Sequence, residues 1–125
     1  MEKERIIDAH THIFPMKIAA KAVASIGDFY DLAMHDGQGT AEALLKSGRE
    51  IGTERYLVCS TATKPAQVKS INDFIWEESA LHPEFIPFAT MHPDLEDLEQ
   101  EMERILERGY YGIKLHPDFQ EFNID

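Results

Sequence analysis

The feature that narrows the fold most is a spacing. Tyr56, Phe85 and Gly112 each open a short apolar run, and they follow one another at intervals of about thirty residues, the length of one βαβ unit. These runs read as strands over Tyr56 to Ser60, Phe85 to Met91 and Gly112 to Leu115, and a fourth, Arg5 to Ala9, precedes them. The stretch YLVCS is apolar at successive positions instead of alternating, the pattern of a parallel strand covered on both faces.

Three amphipathic stretches lie between the strands. Thr40 caps a predicted helix with Ala41, Leu44, Leu45 and Ile51 on one stripe, and Gly52 stands at its end. A second opens near Thr63 and Pro65, aligns Val68, Ile71, Phe74 and Ile75, and stops before Pro83. The third opens at Asp94, aligns Leu95, Leu98, Met102, Ile105 and Leu106, and stops at Gly109. Its acidic residues Glu96, Glu99 and Glu101 read as a solvated face. Pro15 to Gly39 reads as a loop carrying a short helix over Met16 to Ile26. This β, α order demands right-handed crossovers and a parallel sheet, and residues 1–125 read as one α/β domain.

Composition removes several classes of partner. A net charge of −11 repels phosphate backbones and anionic membrane surfaces, so a small molecule or a protein is the expected partner and nucleic acid is not. No apolar run reaches the roughly 20 residues of a membrane helix. The single cysteine, Cys59, has no internal disulfide partner, and the start MEKER leads into no signal-peptide core, so a cytoplasmic protein is expected.

The chemistry concentrates at two strand ends. In IIDAHTHIF, Asp8, His10 and His12 occupy alternate positions and so share one face of a strand, with successive Cα atoms on that face roughly 7 Å apart. Two imidazoles so placed can converge on one divalent ion such as zinc. Asp8 either orients one imidazole or accepts a backbone bond at the strand end. In YGIKLHPDF, Ile113 and Leu115 share the face suited to helix packing, which would turn Lys114 and His116 into the same interior as His10 and His12. A lysine there is costly unless paired, modified or bound to something; on a frayed end it would reach solvent. His92 either lines the site or belongs to a turn, His82 reads as a helix C-terminal cap, and His35 as part of a solvated turn. Cys59 reads as core, and Trp76 as packing on a helix flank.

The motifs IIDAHTHIFP and GIKLHPDFQEF, together with the βα order along the whole chain, resemble the amidohydrolase superfamily of metal-dependent (β/α)8-barrel enzymes, in the branch that holds small amidohydrolases and decarboxylases. The resemblance implies a TIM-barrel fold and a divalent metal, zinc by expectation, on His10 and His12. It implies catalytic positions at Lys114 and His116, the lysine being in some branches a carboxylated bridging ligand. It also implies hydrolysis of an amide, ester or lactone of a small molecule, or alternatively decarboxylation or hydration of a small carboxylic acid. A deoxyribonuclease-like branch also opens with HxH but usually places an acidic residue where this chain has Lys114.

A full barrel takes eight βα units and about 250 residues, whereas four strands are legible here. The family's later ligands have no counterpart in these residues. Typical catalytic zinc sites use three protein ligands, so two histidines fall short. The expectation is therefore the N-terminal half of such a barrel: a piece of a longer enzyme, a half completed by pairing into a homodimer, or a truncated product assembled differently. A non-catalytic metal-binding fragment is the competing class.

Overall fold

The computed structural model describes residues 4–35 and 38–125. Strand β1 (Ile6–His12) is followed by helices α1 (Met16–Tyr30) and α2 (Ala41–Ile51), then strand β2 (Thr53–Cys59). A 3₁₀ turn over Pro65–Gln67 leads into α3 (Val68–Leu81), strand β3 (Phe85–Thr90) and α4 (Leu98–Arg108). The chain then forms strand β4 (Gly112–Lys114) and the one-turn helix α5 (Pro117–Gln120). All four strands are parallel, in the order β1-β2-β3-β4, and curl into half a barrel.

The signals read for α2 act as expected. The Thr40 hydroxyl accepts the Ala43 N–H at 3.3 Å, and Gly52 ends α2 at φ 77°, a conformation that costs a glycine nothing. Side chains from β2 and β3 pack on the helices in two apolar clusters. Tyr56, Val58 and Phe85 meet Ile13, Leu45 and Ile75. Ala89 and Met91 meet Ala62, Val68 and Ile105. Alternation along β2 therefore turns Tyr56 and Val58 toward the helices and Cys59 toward the barrel interior.

Several expectations need correction. Strand β1 runs to His12, three residues beyond the expected end, so both histidines lie on the strand itself. Helix α1 continues past Ile26 to Tyr30, and Gly27 within it is a point of close packing: a Cβ there would stand 2.7 Å from Met34 Cγ. Helix α4 starts at Leu98 and not at Asp94, since His92 organises a turn whose Nδ1 accepts the Asp94 N–H at 3.1 Å. Ile51 and Leu106, placed on apolar stripes, are 68% and 73% exposed. Ile113 and Leu115 are also exposed, because no helix among the described residues covers the outer face of β4.

The largest departure is Glu101, read as solvated and in fact buried. Its carboxylate accepts Asn72 Nδ2–H at 2.8 Å and the Arg104 guanidinium at 2.7 and 2.9 Å. Arg104 also pairs with Asp73, which Arg108 contacts at 2.6 Å. Those two arginines hold the Asp73 carboxyl below its usual range although partial burial opposes them. Asn72 in turn brackets the backbone of Thr90, donating to its carbonyl at 3.1 Å and accepting its N–H at 2.7 Å. This network fastens α3 and α4 to the end of β3. Glu101→Ala would leave the Asn72 amide and Arg104 without their buried acceptor, at an expected cost of about 3 kcal/mol, whereas Glu99→Ala, on the exposed face, should cost under about 0.5 kcal/mol. Urea unfolding of the two variants checks this, and equal losses would contradict the buried role.

Candidate functional site

The site begins with a bulge in β1. Asp8 pairs with Tyr56 and Thr11 with Val58, so Ala9 and His10 on one strand face Leu57 alone on the other and one extra residue is accommodated there. Such bulges re-aim side chains. Asp8 Oδ1 accepts the His10 backbone N–H at 3.2 Å, which settles its role as a backbone acceptor and not an orienter of imidazole. Beyond the bulge, the buried Thr11 hydroxyl donates to the Leu57 carbonyl at 2.7 Å and pins β1 to β2.

His10 and His12 meet edge to face with ring centroids 4.9 Å apart and their Nε2 atoms 3.2 Å apart. Nitrogen ligands of one tetrahedral zinc, with bonds near 2.0 to 2.1 Å, lie about 3.3 Å apart, so the pair suits a shared ion. His12 Nδ1–H donates to the Cys59 carbonyl at 3.0 Å, which leaves the Nε2 lone pair free in the neutral ring. Burial pushes the His12 pKa down. The Cys59 carbonyl opposes this, while the charges of His10, Lys114 and His116 add to it. The neutral imidazole that a metal requires is therefore the favoured form at pH 7.

The four residues singled out in the sequence line one cavity of about 800 Å³, within the range of small-molecule sites. Lys114 is half-buried on its wall, and among the described residues no carboxylate lies within ion-pair distance of it. His116 has a structural task as well: its Nδ1 accepts the Phe119 N–H at 3.2 Å, capping α5, and its Nε2 meets the Tyr30 hydroxyl at 2.7 Å. Helix α1 closes the opposite wall, where Ile18 and Ile26, with Phe14 just ahead of the helix, give it an apolar surface. The other histidines stay apart from this cavity. His92 is buried in its turn, His82 caps α3 and lies 3.5 Å from Glu78, and His35 is exposed beside residues 36 and 37, which fall outside those described.

No protein-family model matches the sequence, and no curated protein matches it. Solved structures do. A 2,6-dihydroxybenzoate decarboxylase complexed with 2,6-dihydroxybenzoate matches with a TM-score of 0.58 and 19% identity, over 89% of this chain and 39% of its own. The 4-oxalomesaconate hydratase LigJ from Rhodopseudomonas palustris matches with a TM-score of 0.59 and 23% identity, over 90% and 42%. A dihydroxybenzoic acid decarboxylase from Polaromonas sp. JS666, with bound manganese and the inhibitor 2-nitroresorcinol, matches with a TM-score of 0.58 and 20% identity, over 89% and 38%. The fold is a half-barrel of the α/β type that these structures share. The chain spans about two-fifths of the length of the structures it matches.

Sequence reasoning missed the part that three groups play in shaping this site. Gln120 is buried and ties strand ends together, donating from Nε2 to the carbonyls of Ala62 at 2.9 Å and Met91 at 2.6 Å. Nothing local in FQEF marks it. Tyr30 lies in the segment read as loop. Cys59, read as core, is buried as expected, and it is also the register partner of His12, a relation visible only once β1 and β2 are aligned. The hydrogen bonds also assign ring protons: in the metal-free chain at neutral pH, His12 should carry its proton on Nδ1 and His116 on Nε2. Long-range ¹⁵N–¹H NMR reads the two tautomers directly, and a His12 proton on Nε2 would contradict the orientation described.

Proposed function

We propose that this chain carries the first metal-ligand pair of an amidohydrolase-superfamily enzyme, with His10 and His12 binding a divalent ion, and that the enzyme decarboxylates or hydrates a small carboxylic acid. The observation that carries this reading is the 3.2 Å approach of the two Nε2 atoms on the wall of a cavity that also presents Lys114. A bound divalent ion supplies Lewis acidity and a water whose pKa falls toward about 7. Cys59 holds the His12 ring in the ligating tautomer through its carbonyl. Lys114 is the cation placed to pair with a substrate carboxylate, and apolar residues of α1 exclude water from the rest of the ligand. His116, whose Nδ1 accepts the Phe119 N–H, donates from Nε2 to the Tyr30 oxygen and so leaves the Tyr30 O–H on the cavity wall to position a substrate oxygen.

The likeness to two decarboxylases and a hydratase supports carboxylic acids over the amides, esters and lactones expected first. Hydrolysis remains the second reading, because metal-activated water serves it equally. Zinc is proposed as the ion, with manganese, held by one structural neighbour, as its rival. The open edges of β1 and β4 support pairing with a second copy of the chain or with further strands.

Two measurements test the function. Plasma mass spectrometry of the purified chain should find near one metal per chain, lost in His10→Ala/His12→Ala. Turnover of a panel of aromatic and unsaturated carboxylic acids, set beside amides, esters and lactones, should be metal-dependent and confined to the acids. Lys114→Ala should raise KM at least tenfold for those acids through the lost ion pair. Metal in the double variant equal to that in the native chain would overturn the reading.

A further inference from the structure

Resting on the metal reading of His10 and His12, we infer that Cys59 is a third protein ligand of the same ion, bound as a thiolate. The three residues form one donor group: one ligand atom from each lies within 4.8 Å of the others. Their placement follows from the sheet. Cys59 is the Cα partner of His12 across the β1–β2 ladder, and Tyr56 and Val58 occupy the opposite, helix-facing side of β2. The sulfur therefore faces the interior that His10 and His12 face.

The ordinary account of a buried cysteine, a small apolar side chain in a core, fits this one poorly. Cys59 belongs to neither apolar cluster. Its Sγ lies among polar groups, 3.8 Å from His12 Nδ1 and 3.5 Å from the Thr11 carbonyl. A shared tetrahedral ion with Zn–S near 2.3 Å and Zn–N near 2.0 Å sets sulfur and nitrogen about 3.6 Å apart, so on binding the Cys59 side chain turns from His12 Nδ1, its present neighbour, toward the two Nε2 atoms. On binding, the S–H bond breaks, the sulfur keeps the electron pair and donates it to the metal, and the proton passes to solvent. The result is two imidazoles and one thiolate with a position left open, the three-ligand count of a catalytic zinc site. A thiolate also biases the site toward zinc or cobalt and against manganese, which prefers oxygen donors.

Cobalt(II) added to the full 125-residue chain reports each part of this separately. Visible d–d bands are expected from the bound ion, and a near-ultraviolet sulfur-to-cobalt charge-transfer band from the thiolate. The chain has a single cysteine, so that band has one thiolate source. Cys59→Ser should abolish the near-ultraviolet band, keep the visible ones and weaken cobalt binding at least tenfold. Visible bands without the charge-transfer band in the native chain would overturn the Cys59 assignment and leave the histidine reading standing. No cobalt bands at all would overturn both. Because the native spectrum alone decides, the outcome does not depend on how well the variant folds.

Discussion

The parallel pairing of β1 with β2 is the contact on which the rest of the site depends. It sets His12 beside Cys59, lets the Cys59 carbonyl accept a hydrogen bond from His12 Nδ1–H, and is fastened by the buried Thr11 hydroxyl on the Leu57 carbonyl. The bulge in β1 belongs to the same pairing and carries His10 to within 3.2 Å of its partner nitrogen. A slip of one residue would turn both rings toward the helices and bury Ile13 nowhere. Ile13 resists that slip, being fully buried in the apolar cluster that Tyr56 and Val58 build.

The cavity inherits its remaining features from the far side of the sheet. Strand β4 is only three residues long, yet it delivers Lys114 to the wall and is followed at once by the His116 cap of α5. Gln120 then reaches from α5 to the ends of β2 and β3, so the strand ends that frame the site are held by side-chain hydrogen bonds as well as by the ladder. A buried amide with three satisfied hydrogen bonds is worth keeping in place, since each bond lost would leave an unpaired carbonyl or N–H away from water.

How much of this was legible in the sequence depended on the range of the interaction. Apolar runs at βαβ spacing, the Thr40 cap and the Gly52 stop are local signals, and the elements they specify are present. The pattern Asp8, His10, His12 marked the strand end, and Lys114 and His116 do share a cavity with it. What escaped was set by partners distant in sequence. Glu101 looks like any acidic helix residue until Asn72 and Arg104 close on it, and Gln120 becomes structural only when the strand ends assemble beneath it. Ile113 and Leu115 carry an apolar pattern for a covering helix that the described residues do not provide.

The claim at the centre is that a single ion sits at the end of β1, on the interior face. The described residues offer one other group of three donors, Glu42, Glu78 and His82, on helices α2 and α3 and the end of α3. The most direct test is a crystal structure of the chain grown with zinc, with anomalous differences collected across the zinc edge. A strong peak between the Nε2 atoms of His10 and His12 is the predicted result. A peak at Glu42, Glu78 and His82 with none at the histidine pair, or no peak at either place, would contradict the account.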